Sequence, residues 1–184
     1  GKMGFAIAET FAANGHDVVL VAGPVQIKSE NPRIHRIDVE SAAQMYEAVM
    51  SEFPKVDGAV LCAAVADFTP ITVADKKIKR EGDNLVIELK PTQDIAAAVG
   101  RAKKPNQFLV GFALETNDEE AHALDKMRRK NLDFIVLNSL KDKNACFGYD
   151  TNKVTILKSN GEKHEYPLKT KKEVAQDIYN NIML

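Results

Sequence analysis

Cysteine is scarce: Cys62 and Cys146 are the only two in 184 residues. Two cannot build a disulfide framework, and they form no Cys-x-x-Cys pair, so a reducing, cytoplasmic setting is expected. Long apolar runs are missing too. None reaches the roughly 18 residues a membrane-spanning helix needs, and no membrane partner is expected. Neither sign of charge dominates, since 25 Lys and Arg face 26 Asp and Glu for a net charge of −1. That excludes a whole-chain basic field for nucleic acid, which is not an expected partner. His16, His35, His122 and His164 are scattered, without metal-ligand spacing. There is no Gly-x-Ser-x-Gly elbow and no complete Gly-x-x-x-x-Gly-Lys-Ser/Thr loop. Internal repeats and low-complexity linkers are also absent.

What is present is ordinary globular composition, 45% hydrophobic and 28% charged. The length suits one domain burying about 70% of its unfolded surface. Gly1-Lys2-Met3-Gly4 runs straight into a helical pattern with Met3, Ile7 and Phe11 on one face. Two glycines at a helix start look like the later half of a phosphate loop. Such a loop needs a strand before it, so an upstream strand and the first half of the loop are expected to precede residue 1. Strand-like and helix-like segments then alternate. Val18–Ala22 and Ile34–Val39 read as strands, and Ser41 as the cap of a helix carrying Met45, Val49 and Phe53. The apolar run Val56–Ala66 contains a central strand. Asp67–Asp83 reads as a long exposed loop, and Leu85–Leu89 as a strand. A helix over Asp94–Ala102, a strand over Phe108–Leu114 and a helix over Asp118–Lys130 capped by Thr116 or Asn117 follow. After a strand at Phe134–Leu137, Val154–Leu157 and Glu165–Leu168 read as a hairpin joined through Ser159-Asn160-Gly161 by a type I′ turn. Lys171–Met183 closes with a helix.

Strands alternating with helices imply right-handed crossovers and a parallel sheet. The expected fold is α/β and Rossmann-like, a mostly parallel three-layer arrangement with a C-terminal β-hairpin addition, as one domain over 1–184. Ligands in such sheets bind at the carboxyl ends of the strands. After the central strand stand Ala63-Ala64-Val65-Ala66, whose small side chains admit a ligand close to the backbone, and then Asp67. Asp67 is placed to hold Mg²⁺ or a ribose hydroxyl, or simply starts a loop. Lys76-Lys77-Ile78-Lys79-Arg80 is either a lid over a polyphosphate or a solvated basic loop. Lys126 and Lys130 share a helix face, as an anion contact or as partners of the helix dipole. Gln93-Asp94-Ile95 opens a helix whose free N–H groups could meet a ligand, with Thr92 or Asp94 as the cap. Cys62 lies in an apolar strand and reads as core.

The order and spacing of several motifs resemble a known family. They are Gly1-Lys2-Met3-Gly4-Phe5-Ala6-Ile7-Ala8, Ala63-Ala64-Val65-Ala66-Asp67, Lys77-Ile78-Lys79, Gly111-Phe112-Ala113-x-Glu115-Thr116 and Lys130-Asn131-Leu132-Asp133. Together they resemble bacterial phosphopantothenoylcysteine synthetase over nearly the full length. The resemblance implies a homodimeric ligase of coenzyme A biosynthesis using CTP and Mg²⁺. It would activate 4′-phosphopantothenate as an acyl-cytidylate and then join it to L-cysteine. It implies that Gly1, Lys2 and Met3 end a triphosphate loop. Leu61, Cys62 and Ala63 would present backbone to the nucleotide, and Asp67 would be the carboxylate near the metal. Lys77 would be the catalytic lysine of a flap at about 75–84. Gln93, Asp94, Ile95, Ala96, Phe112, Lys126 and Lys130 would contact the nucleotide. Gln93 departs from the family's usual Pro, and Pro91 precedes it instead. The family also has an asparagine a few residues ahead of the Gly-Lys-Met-Gly stretch. Residues 1–184 alone are therefore expected to show little ligase activity. A phosphopantothenoylcysteine decarboxylase domain often precedes this one, and FMN would be bound only with that domain.

Two other readings stand beside this one. A nicotinamide-dependent reductase would need a complete Gly-x-Gly-x-x-Gly loop and an acid ending the second strand, where Val21-Ala22-Gly23-Pro24 has none. Tyr149-x-x-x-Lys153 has the spacing of a short-chain dehydrogenase pair, but it lies in a turn-like stretch that cannot bring both side chains to one face. The second alternative is a non-catalytic nucleotide-binding module.

Overall fold

The computed structural model describes residues 1–80, 84–115, 119–139 and 149–183. Helix α1 (Lys2–Ala13) buries Phe5, Ile7 and Phe11, as the i, i+4 spacing requires. Strands β1 (Val18–Ala22) and β2 (Ile34–Asp38) run parallel, with Val18 facing Ile34. Helix α2 (Ala42–Glu52) opens on Ser41, whose hydroxyl accepts the Gln44 N–H while the Gln44 side chain accepts the Ser41 N–H. This reciprocal box satisfies two N–H groups at once. Then come β3 (Gly58–Leu61), β4 (Phe68–Pro70), β5 (Leu89–Pro91), α3 (Ile95–Ala102), β6 (Phe108–Glu115), α4 (Glu119–Arg129) and β7 (Phe134–Ser139). The short β8 (Thr151–Asn152) pairs with β11 (Lys169–Thr170) around β9 (Val154–Lys158) and β10 (Lys163–Glu165), and α5 (Lys171–Met183) ends the chain.

The main sheet has the order β10-β9-β7-β6-β3, with β3, β6 and β7 parallel and β9 and β10 antiparallel at one edge. Alternation along β7 shows how it is covered. Ile135 and Leu137 join the cluster under α3 and α4, while Phe134 and Val136 join the cluster under α1 and α5. Both faces are therefore buried, which explains why these strands read as continuous apolar runs. The architecture is the expected three-layer, Rossmann-like α/β arrangement. The pair β1–β2 forms its own parallel sheet and shares no ladder with β3. Val18 and Val60 nevertheless pack against one apolar cluster.

Several elements differ from expectation. The strand within Val56–Ala66 is Gly58–Leu61, and it stands at one edge of the main sheet, paired only with β6, and not at its centre. Asp67–Asp83 is not all loop, since Phe68–Pro70 pairs antiparallel with Leu89–Pro91. The strand read at Leu85–Leu89 accordingly begins only at Leu89. The hairpin partner of β9 is Lys163–Glu165, with Lys163 facing Leu157, and not Glu165–Leu168. Its turn is also not type I′. Within the loop only Gly161 has positive φ (92°), and its N–H donates to Lys158 O at 3.0 Å. Lys158 N–H closes onto Glu162 O at 2.9 Å, which makes a three-residue loop with a glycine bulge. Thr116, Asn117 and Cys146 lie outside the described residues.

Candidate functional site

The parallel strands bring their carboxyl ends to one edge. Two bonded pairs join candidate residues from different elements. The first joins α3 to the end of α4. Asp94 caps α3, its Oδ1 accepting the Ala97 N–H at 2.9 Å. The same carboxylate pairs with the Lys130 ammonium, at 2.9 Å through Oδ2 and 3.1 Å through Oδ1. The Lys130 side chain is only 17% exposed. Burial pushes the Asp94 carboxyl up, but the Ala97 N–H and the ammonium groups of Lys130 and Lys126 more than offset this and hold it below the usual aspartate value.

Main-chain packing fixes where Lys130 stands. A Cβ on Gly100 would lie 2.0 Å from Lys130 O, so the glycine lets α3 touch the chain just after α4. Asn131 follows in the left-handed region (φ 52°) and donates from Nδ2 to Gly100 O at 2.9 Å. Asp133, two residues on, accepts the Leu109 N–H at 2.6 Å and pairs with Lys103 at 2.9 Å. The Lys130-Asn131-Leu132-Asp133 motif thus aligns α3, β6 and β7. Among these four, Lys130 also brings an ammonium to the Asp94 cap at the start of α3.

The second pair joins α4 to β6, as Lys126 Nζ donates to Phe112 O at 3.1 Å. Each of the two lysines sharing a helix face is therefore held by an acceptor on another candidate residue. The stretch after β3 is laced to the approach to α3. Thr92 N–H donates to Asp67 O at 2.9 Å, and Thr92 Oγ1 donates to Ala66 O at 2.7 Å. Asp94 supplies the cap, and Thr92 instead brings Ala66 and Asp67 beside Gln93. The Asp67 side chain is exposed. Among the described residues, no group of three or more His, Cys, Asp or Glu could hold a metal ion. A single open carboxylate suits Mg²⁺ only when phosphate oxygens and water complete its shell.

The start of α1 meets the end of β3. A Cβ on Gly4 would lie 3.0 Å from Cys62 Sγ, so the first turn of α1 stands against Cys62; Met3 packs on the same apolar cluster, and Gly1 lies against Val25. Burial pushes the Cys62 thiol up to about 11, which keeps it protonated and fits its reading as core. Lys2 Nζ pairs with Asp150 Oδ1 at 2.7 Å. Lys77 lies in an exposed irregular stretch after β4, and no described contact brings it to the other candidates. Asp150 is absent from the sequence-derived site, and Thr92 entered it only as an alternative cap. The partners they use, Lys2 and the Ala66–Asp67 backbone, are distant in the chain.

The whole chain, residues 1–184, matches the family model "DNA/pantothenate metabolism flavoprotein C-terminal domain". It is 54% identical over 183 residues to a "Cysteine/Cysteine sulfinic acid decarboxylase" of an unknown prokaryotic organism, covering 100% of this chain and 51% of that protein. It is 46% identical over 182 residues to the "Coenzyme A biosynthesis bifunctional protein CoaBC" of Bacillus subtilis, covering 99% of this chain and 45% of that protein. The chain spans about half the length of these curated relatives. The crystal structure of the C-terminal domain of a coenzyme A biosynthesis bifunctional protein CoaBC superposes with TM-score 0.83 at 41% identity, covering 99% of this chain and 81% of that one. Sequence and structure alike place the chain in the DNA/pantothenate metabolism flavoprotein C-terminal domain family.

Proposed function

We propose that this chain is the ligase domain that joins 4′-phosphopantothenate to L-cysteine using CTP. The observation that carries the reading is the pair of restrained ammonium groups, Lys126 on Phe112 O and Lys130 on the Asp94 cap of α3. The coenzyme A biosynthesis relatives, matched over the whole chain, support it. The decarboxylation named for the other relative belongs to a protein about twice as long.

In this reading the phosphopantothenate carboxylate attacks the α-phosphorus of CTP, and pyrophosphate leaves. The cysteine amine then attacks the acyl carbon of the acyl-cytidylate, losing a proton as CMP leaves. Lys126 and Lys130 hold phosphate oxygens, and N–H groups at the start of α1 meet the triphosphate. Gln93, Ile95, Ala96, Leu61, Cys62 and Ala63 line the nucleotide with backbone. Lys77 closes with its flap, neutralises charge in the transition state and keeps water from the intermediate. Mg²⁺, held by Asp67 and the nucleotide, would supply charge neutralisation on the phosphates. Activation is reversible, so labelled pyrophosphate should exchange into CTP in a full-length protein given phosphopantothenate and no cysteine. Exchange that does not need phosphopantothenate, or no exchange, counts against an acyl-cytidylate.

The assembly belongs to the same proposal. β1 and β3 are apolar, half-buried strands on one cluster with no ladder between them. A parallel strand from an upstream segment fits between them and would join the two sheets. The relatives called bifunctional support fusion to a decarboxylase domain, where FMN would sit, and a cytoplasmic setting follows from the pathway. Self-association is supported by the β4–β5 arm, where Phe68, Ile71, Val73, Val86, Ile87 and Leu89 are all exposed. A lone two-stranded ladder is marginal in water, and a second copy would cover this surface. Val86 is 84% exposed, so Val86→Glu should leave the protomer folded and shift sedimentation from dimer to monomer. A variant that sediments as the same dimer would take the arm out of the interface.

A further inference from the structure

We propose that Asp94 is a positioning residue for the nucleotide. It aims the Lys130 ammonium while it caps α3, so that a phosphate meets a cation already in place. The inference rests on the ligase reading above and adds to it the residue through which Lys130 acts.

The geometry leaves this carboxylate little freedom. Its Oδ1 holds the Ala97 N–H at 2.9 Å, so Asp94 cannot swing aside without uncapping α3. Its two oxygens stand 2.9 and 3.1 Å from Lys130 Nζ. An ammonium has three N–H donors. The two carboxylate oxygens take at most two of them, so at least one is left for a phosphate oxygen. At the other end of the side chain, Gly100 and Asn131 lock the Lys130 backbone against α3. Root and tip of Lys130 are thus both referenced to one helix. A free lysine stem carries rotamer entropy that a ligand would have to freeze, and here the fold has already restricted it. The neighbouring Lys126 is held in the same way by a main-chain carbonyl.

The opposite expectation comes from charge alone, since a carboxylate beside a phosphate site repels the ligand. Two features favour positioning. Asp94 is anchored by the cap it makes to Ala97, a contact that involves no ligand, and the half-buried Lys130 side chain would otherwise carry a cation with no charged partner from α3. The carboxylate therefore shares the ammonium with the phosphate.

The test uses the full-length protein with CTP, Mg²⁺, phosphopantothenate and cysteine. Asp94→Asn and Asp94→Ser both keep an N-cap, but neither supplies a charged partner to Lys130. KM for CTP should rise about tenfold in each, the loss of about one charge-assisted hydrogen bond, with kcat nearly unchanged. The thermal midpoint should stay close to wild type. In a Lys130→Gln background the same substitutions should add little, because Asp94 acts through Lys130. An unchanged or lower KM in Asp94→Asn would overturn the inference while leaving the ligase reading intact. An equal loss in the Lys130→Gln background would do the same. A wild-type protein that neither binds nor turns over CTP would overturn the ligase reading, and this inference with it.

Discussion

Replacing Lys77 with Gln is expected to lower turnover with CTP by about a hundredfold or more, the cost of removing one charged donor from a transition state. The fold should be indifferent to the change. Lys77 is exposed, in a stretch with no helix or ladder, and no described contact depends on it. Surface substitutions of that kind stay within about 0.5 kcal/mol of stability. The proposed role explains this combination. Charge develops on the phosphates as pyrophosphate leaves, and a lysine carried by a flap arrives only when the flap closes. Loss of turnover with an unchanged thermal midpoint and an unchanged CTP affinity would place Lys77 in the chemical step. Turnover within about twofold of wild type would remove it from the mechanism.

Gly100→Ala should fail in a different way, through the fold. An alanine in a helix interior ordinarily stabilises by roughly 0.5–1 kcal/mol over glycine. Here the added Cβ would stand 2.0 Å from Lys130 O. That neighbour is main chain, so no rotamer can relieve the clash. Either α3 or the chain after α4 must shift, and overpacking of this severity costs about 3 kcal/mol or more. The shift would also break the Asn131–Gly100 bond and move Lys130 from Asp94. Denaturant unfolding should show a lower midpoint with little change in slope, and CTP affinity should fall at temperatures where the variant remains folded. An alanine variant as stable as wild type would mean that the close contact does not set the position of Lys130.

Local signals were legible where local chemistry decides. Helix α5 and strand β1 lie where periodicity puts them, and Ser41 caps α2 as its position suggests. Signals that depend on long-range pairing were not legible. Leu85–Leu89 looks like a strand from its apolar side chains, but the ladder starts at Leu89 because Phe68–Pro70 ends there. Asn160-Gly161 suggests a type I′ turn, yet only Gly161 adopts positive φ, and that moves the strand after the loop to Lys163–Glu165. The site shows the same division. Lys126 and Lys130 could be placed on one helix face from spacing alone, which by itself pointed mostly to dipole and solubility chemistry. What the spacing does not contain is an acceptor on β6 and a carboxylate 36 residues earlier, contacts created by the crossover from α3 to α4. Lys2 and Asp150 are 148 residues apart, and nothing local connects them. The resemblance supplied residue roles that spacing could not, and the structure supplied the partners that hold several of those residues.

The most direct test is product formation by the full-length protein. Phosphopantothenate, L-cysteine, Mg²⁺ and either CTP or ATP would be mixed, and phosphopantothenoylcysteine, pyrophosphate and CMP measured together. Equal amounts of all three are expected with CTP, with the product dependent on cysteine and little product with ATP. Folded protein that binds CTP and forms no product, or that forms product equally well with ATP, would contradict the ligase reading.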